Sequence, residues 1–451
     1  MTLISSRPSV GSPRPWSFPA FERHEIAGGR VITCHLPGRA LGVTSLVMDA
    51  GASSERTGHE GVAELVARAL SEGTPDLDAY EFAVAGERLG ASWRAASDWD
   101  SLRCGFEVPV GEIAAATDLL AAAVRDAVFA DGTLDRIRDE RIDEVSIELS
   151  QPAARAGEAL AGEVFADASR YHLSDGGDIA SLESISNDDI RGFRAARLGP
   201  STATLILVGD LEAVDVEALG HRVFAGWPDA DPAPAAPDVS PRQTGRRVVV
   251  VDRPGSVQSM LLLGHDGPPR KIDDYVAMTT MSLVLGGMFS SRLNMKIREE
   301  KGYAYGAHCG FDTRKHGGLF AARAAVQSDV TIPAIADMVA EIERLHDGGV
   351  EEEELEQARA YRAGVFPINF AAVNAVAGGL GDLVINDFPD DHFDRLRARV
   401  LDVRKEELDA SAAGRLRPAD LVTVVVGDAN GFAGELDAAG LGPVEVVPDE
   451  A

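Results

Sequence analysis

Two stretches of the chain bring together residue types that could do chemistry. In one, Arg298 and Tyr305 stand on either side of Lys301-Gly302. A guanidinium fork and a phenolic hydroxyl both donate hydrogen bonds, which is what an anionic tetrahedral intermediate requires. The competing reading is structural, with Arg298 in a surface ion pair and Tyr305 packed in a core. In the other stretch, His59, Glu60 and Glu64 are of metal-ligating type. His59 precedes the helix that carries Glu64, however, and no second histidine lies within a turn of it, so the set does not make a metal site. Glu64 and Arg68 form instead an i, i+4 pair in the favourable order, worth about 0.3 kcal/mol if exposed.

The elements that must position these residues are readable from periodicity. Val62, Leu65, Val66, Ala69 and Leu70 fall on one face of a helix spanning Gly58 to Leu70. A second helix ends near Lys301-Gly302, glycine being the usual residue just past a helix end. A strand is expected to follow it, with Tyr303, Tyr305, Ala307, Cys309 and Phe311 on one face. Gly286-Gly287, after the apolar run Met278 to Leu285, reads as a helix stop, and Gly378-Gly379 as close helix packing or a bend.

A long repeat organises the whole. Leu198-Gly199-Pro200, the run Leu205 to Val208 and Gly209-Asp210 reappear as Leu416-Arg417-Pro418, Val424 to Val426 and Gly427-Asp428, offset by 218 residues. Pro37-Gly38 and Pro254-Gly255 are offset by 217. A period this long means a duplicated domain rather than a solenoid. Each copy opens on apolar strands (Arg30 to Met48, Arg247 to Leu263) and closes on another (Thr204 to Val208, Leu421 to Val426), with helices such as Thr133 to Leu149 and Glu351 to Phe366 between. The expected fold is α+β: a tandem duplication of two similar domains, each a mainly antiparallel sheet covered by helices, facing across a cleft. The boundaries read as an irregular lead-in over 1–20, a first domain over 21–227, a Pro/Ala-rich linker over 228–245 and a second domain over 246–447.

Composition narrows the partners. A formal charge of −29 over 451 residues makes nucleic acid and anionic membranes poor partners. No apolar run approaches a membrane span. Cys34, Cys104 and Cys309 are far apart, which argues against a disulfide framework and fits a reducing compartment. The lead-in lacks an apolar signal core, so a cytoplasmic location is expected.

The frame from Gly51-Ala52-Ser53-Ser54-Glu55 through the Gly58 to Leu70 helix to Glu72-Gly73-Thr74 resembles the insulinase/pitrilysin family of zinc metallopeptidases, in the branch of the mitochondrial processing peptidases. So does the run Leu285-Gly286-Gly287-Met288-Phe289-Ser290-Ser291-Arg292-Leu293, which leads into Arg298 and Tyr305. The resemblance covers roughly residues 25 to 445. In that family a His-x-x-Glu-His helix holds Zn²⁺ on two histidines one turn apart, with the glutamate as general base. The equivalent positions here are Glu64, Ala67 and Arg68. Alanine accepts no proton, and a guanidinium offers a metal no lone pair. The family's third, carboxylate ligand would fall on the helix with Glu140 and Glu144, which are expected to be a solvated helix face instead.

What the resemblance implies is a non-catalytic, substrate-binding subunit of a heterodimeric zinc endopeptidase, with no cofactor of its own. Zn would sit in a homologous partner subunit carrying His-x-x-Glu-His. Arg298 and Tyr305 would hold the substrate backbone and help stabilise the oxyanion in the shared site. An extended peptide is the implied substrate. The alternative is a stand-alone peptide-binding or assembly protein of the same fold with no protease role.

Overall fold

The computed structural model describes residues 14–242 and 245–449. Residues 1–13 of the lead-in and 243–244 of the linker lie outside the described residues. The described residues build two six-stranded sheets. The first contains β1 (Glu22–Ile26), β2 (Gly29–His35), β3 (Leu41–Met48), β4 (Ser92–Ser97), β5 (Leu102–Pro109) and β6 (Ala203–Gly209), in the order β1-β2-β6-β3-β5-β4. The second contains β7 (Arg247–Asp252), β8 (Gln258–Gly267), β9 (Ala307–Thr313), β10 (Gly318–Gln327), β11 (Val422–Gly427) and β12 (Val444–Pro448), in the order β12-β7-β11-β8-β10-β9.

Both sheets are mixed, with antiparallel pairings in the majority. The two orders superimpose strand for strand except at one edge. There β1 pairs antiparallel with β2 as a hairpin, whereas β12 arrives from the C-terminal end and pairs parallel with β7. The register reproduces the sequence offset: Arg30 faces Thr204, and Arg247 faces Val422.

The repeated landmarks touch one another in each copy, which explains their fixed spacing. The amide of Gly38 donates to Asp210 Oδ2 at 2.8 Å, and the amide of Gly255 donates to Asp428 Oδ2 at 2.9 Å. Both glycines sit at positive φ (73° and 80°), where a Cβ would be strained. The turn after the first core strand is thus pinned to the end of the last one.

Each sheet has one face covered by helices of its own half and the other by a helix from the opposite half. The helix Val373–Ile385, late in the chain, lies across β3 and β6. Its Val376, Ala377, Leu380 and Leu383 pack with Ile32, Val47, Ile206 and Val208 in one buried cluster. The helix Pro152–Val164, from the first half, lies across β8 and β11. Its Ala156, Leu160 and Val164, spaced four apart, pack with Val251, Leu262, Val422 and Val424. Residues 228–240 carry no helix or strand. No single helix among the described residues is long and apolar enough to cross a membrane.

Candidate functional site

The helix expected over Gly58 to Leu70 runs from Val62 to Ala69, its start set by a buried carboxylate. Glu55 Oε1 accepts the amides of Gly61 and Ala63 at 3.1 and 2.9 Å, which satisfies two of the donors left open at a helix N-terminus. Arg170 Nη2 reaches the other Glu55 oxygen at 2.7 Å. Val62, Leu65, Val66 and Ala69 turn into the first core, and Ala67 is fully buried beside them. The motif helix is therefore anchored firmly, with Glu64 and Arg68 on its outward side.

Those two residues meet a third. Arg68 Nε donates to Glu64 Oε1 at 2.7 Å, and its Nη1 donates to Glu144 Oε1 at 3.0 Å. Glu144 lies on the helix Asp131–Leu149. The guanidinium thus bridges two carboxylates from two helices, a place where a cation belongs. Burial works to lower the Arg68 pKa, but the hydrogen bonds and charges of Glu144 and Glu64 outweigh it and hold it above its ordinary value. The hydrogen bond from Arg68 in turn keeps the Glu144 carboxyl below its usual range. The other Glu64 oxygen accepts from Ser97 Oγ at 3.2 Å, at the end of the edge strand β4. Glu144 was expected on a solvated face. It keeps about half of its side chain in solvent and is also part of this ion pair, because the Asp131–Leu149 helix packs against the motif helix. Glu140 does stay outside, paired with Arg136 along its own helix.

The remaining candidates are not gathered here. His59 Nδ1 lies 3.8 Å from Asp189 Oδ1, and Glu60 accepts the amide of Gly58 within its own turn. No three His, Cys, Asp or Glu side chains converge as a metal-binding group among the described residues. The residues present do not fit zinc: a guanidinium, which offers no lone pair, sits between the two carboxylates, and the remaining motif position is an alanine.

Arg298 and Tyr305 do come together, on the second half. The segment Met295–Glu300 is a π-helical turn, wider than an α-helix, and Gly302 at φ 66° ends it. The strand starts at Ala307, not at Tyr303 as alternation suggested. The Tyr303 amide is spent on the Ile297 carbonyl at 2.9 Å, closing the helix end, so the chain cannot yet enter the ladder. The correction changes what Tyr305 is. It stands in the connecting loop, 90% exposed, rather than on a strand face.

The Arg298 guanidinium carbon lies 4.8 Å from the centroid of the Tyr305 ring and 4.8 Å from that of Phe289. A cation between two aromatic faces is held by the ring quadrupoles while its N–H edge stays open. One of those donors approaches Glu299 Oε1 at 3.2 Å. Phe289 was not singled out from the sequence. Its exposure at 62%, two residues after the Gly-Gly pair, becomes meaningful only once the stack is seen.

The neighbouring motif residues fix the start of the helix that bears Arg298 and tie together the segments of the stack. Arg292 is buried, donates to both Glu354 oxygens at 2.7 and 2.6 Å, and also donates to the Gly349 carbonyl. Asn294 Nδ2 donates to the Phe289 carbonyl at 2.6 Å. Its Oδ1 accepts the Ala307 amide at 3.4 Å, so one side chain ties together the segments bearing Phe289 and Tyr305. Gly286 lies inside a π-helical turn, Leu283–Gly287, and faces β9 so closely that a Cβ would come within 2.4 Å of the Cys309 nitrogen. The pair is therefore a close approach as well as a helix end. Gly379 is close packing too: a Cβ there would reach 2.8 Å from the Phe370 ring.

Residues 30–170 match the model for insulinase, peptidase family M16, and residues 184–361 match the model described as the peptidase M16 inactive domain. The chain belongs to the insulinase family. It is 25% identical over 350 residues to the zinc protease PqqE of Helicobacter pylori, spanning 75% of this chain and 77% of that protein. An uncharacterised zinc protease of Streptomyces coelicolor is 21% identical over 420 residues, spanning 91% of this chain and 89% of that one. The insulinase-family fold is shared with solved structures. A peptidase M16 inactive domain from Pseudomonas fluorescens superimposes with a TM-score of 0.83 at 23% identity, covering 90% of this chain and 98% of that one. A protease from Helicobacter pylori gives 0.84 at 20% identity, covering 91% and 100%.

Proposed function

We propose that this insulinase-family chain is the non-catalytic, substrate-binding subunit of a heterodimeric zinc endopeptidase that cleaves peptides or leader segments in an enclosed chamber. The observation that carries this reading is the contrast between its two halves. In the first, a guanidinium fills the motif between Glu64 and Glu144. In the second, Arg298 is stacked, forward and accessible between Phe289 and Tyr305. The Arg298 and Tyr305 pair, with Tyr305 exposed and the segments tied by Asn294, favours this reading over a chain that has left proteolysis altogether.

In this reading the zinc and its general base come from a homologous subunit with His-x-x-Glu-His. This chain contributes hydrogen-bond donors: Arg298 holds a substrate carbonyl, and the Tyr305 hydroxyl donates to the oxygen that gains charge as a carbonyl is attacked. Extended peptide adds to an exposed sheet edge, its main chain giving affinity and its side chains selectivity. A cytoplasmic location belongs to the same reading and rests on the three separated cysteines.

The test is to measure zinc content and peptidase activity of the purified chain alone, and after mixing with its His-x-x-Glu-His homologue from the same cell. No zinc and no activity alone, with activity appearing or rising on mixing, is expected. Stoichiometric zinc with cleavage by the chain alone would overturn the proposal. In the mixed complex, Arg298→Ala and Tyr305→Phe should each lower kcat/KM. Unchanged values in both would remove the pair from the active site.

A further inference from the structure

The two halves of the duplication differ at one half-buried ion pair, which lacks its carboxylate in the first half. In the second half, Arg247 at the start of β7 pairs with Glu163, on the helix Pro152–Val164 that crosses β8 and β11. Arg30 on β2 occupies the matching place in the first half, since its register partner Thr204 matches Val422, the partner of Arg247. The helix Val373–Ile385 crosses β3 and β6 in the same manner. Both helices have 13 residues, and Glu163 and Val384 are each the last but one. Where one half supplies a carboxylate to its arginine, the other presents an isopropyl group.

The space this leaves is not filled by protein. A cavity of about 350 Å³ is lined by the cations Arg30, Arg270, Lys271 and Lys315, by the carboxylates Asp49 and Asp387, and by Val384. Two of its cations are already answered. Lys315 Nζ lies 3.2 Å from Asp49 Oδ2, and Lys271 Nζ donates to the carbonyl of Asp387 at 3.1 Å and lies 3.4 Å from its carboxylate. The other two are not. Arg30 reaches only the Ser201 carbonyl, at 3.3 Å. Arg270 is stacked on the Tyr275 and Phe388 rings at 3.8 and 5.1 Å. Among the described residues, neither has a carboxylate within ion-pair distance. Two guanidinia without a carboxylate partner thus face one pocket, whose own two carboxylates are engaged by its lysines.

We propose that this interdomain pocket binds a small oxyanion, a carboxylate or phosphate group whose oxygens take the place that the Glu163 side chain fills in the other half. Planar guanidinia match such oxygens with paired hydrogen bonds. The volume suits a small metabolite or a chain end. Because Arg30 belongs to the first half and Arg270 to the second, the bound anion also ties the halves together. The inference stands whether or not the chain serves a protease.

The experiment is titration calorimetry of the full chain at constant ionic strength, with chloride as the control. The probes are citrate, inorganic phosphate, and one short peptide with either a free or an amidated C-terminus. Saturable one-to-one binding by at least one oxyanion probe is expected. Binding by citrate or phosphate assigns the anion to the soluble pool, and binding only by the free-carboxylate peptide assigns it to chain ends. Arg30→Gln, at an exposed position, and the double variant with Arg270→Gln should weaken binding tenfold or more. Val384→Glu should abolish binding and raise the ligand-free Tm, because it restores the carboxylate present in the other half. Absence of saturable binding beyond chloride, or binding that survives Val384→Glu or Arg30→Gln, overturns the proposal.

Discussion

At the scale of single residues, Arg68 shows how a metal motif can be lost while its carboxylates stay paired. The guanidinium keeps Glu64 and Glu144 together, so the helix positions needed for a metal are retained although the ligands are not. Rebuilding the motif as Glu64→His, Ala67→Glu and Arg68→His should therefore give a chain that retains about one zinc per molecule after dialysis, with Glu144 as the carboxylate ligand. Adding Glu144→Ala should weaken zinc binding at least tenfold, read by metal content against a competing chelator. A rebuilt chain that stays free of zinc would mean that the two helices are not placed as the pairing indicates. The missing ligands were readable from sequence because they sit one helical turn apart. The partnership with Glu144 was not, since it crosses 76 positions and depends on how two helices pack. His265 is a second residue with a measurable signature. It is 2% exposed, takes the Arg417 amide on Nε2 at 3.2 Å, and places Nδ1 2.8 Å from the Asp266 carbonyl. Burial pushes its pKa down from 6.5 to about 4. Between those values the unfolded chain binds the proton and the folded one does not, so stability is lost as pH falls through that window. The loss at pH 4.5 relative to pH 7 should be about 2 kcal/mol from this residue. His265→Gln, which keeps an acceptor but does not titrate, should flatten the difference by that amount in denaturant unfolding. An identical pH dependence in both proteins would exclude His265 as the cause.

At the scale of elements, strands were readable because apolar runs bounded by turn residues recur at one offset, and the turn glycines bond to the repeated aspartates. The exchanged helices were not. Ala156, Leu160 and Val164 announce one apolar face, and periodicity says nothing of which sheet will receive it. The strand expected at Tyr303 failed for a related reason. Alternation cannot reveal that an amide is already committed to a helix end. The exchange has a local cost that can be measured. Leu160 is fully buried on the second sheet, and it comes so close to Gly264 that a Cβ there would meet it at 2.9 Å. Leu160→Ala should destabilise the protein by about 3 kcal/mol, since neither the sheet nor the helix backbone can collapse into the cavity. Equilibrium unfolding in urea reads this directly. A loss below about 1 kcal/mol would show that the helix is not anchored where Leu160 places it.

At the scale of the molecule, the exchange decides how the duplicated halves behave together. Tandem domains with separate cores usually unfold in separate steps. Here the inner face of the first sheet, with Ile32, Val47 and Ile206, is closed by a helix from the second half, and the valines of β11 are closed by a helix from the first. Removing either half would strip the other of a helix and expose an apolar sheet face, which is what drives aggregation rather than independent folding. Lys315 on Asp49 adds a polar tie across the same junction. Calorimetry should therefore show one cooperative transition, with calorimetric and van't Hoff enthalpies in agreement, and Leu160→Ala should lower that single transition as a whole. Polypeptides corresponding to residues 14–242 and 245–449 should be insoluble or molten alone and should recover a cooperative melt when refolded together. Two resolved transitions in the intact chain, with Leu160→Ala moving only one of them, would mean that each half is stable without the other's helix, and the exchanged helices would then be contacts between finished domains rather than parts of their cores.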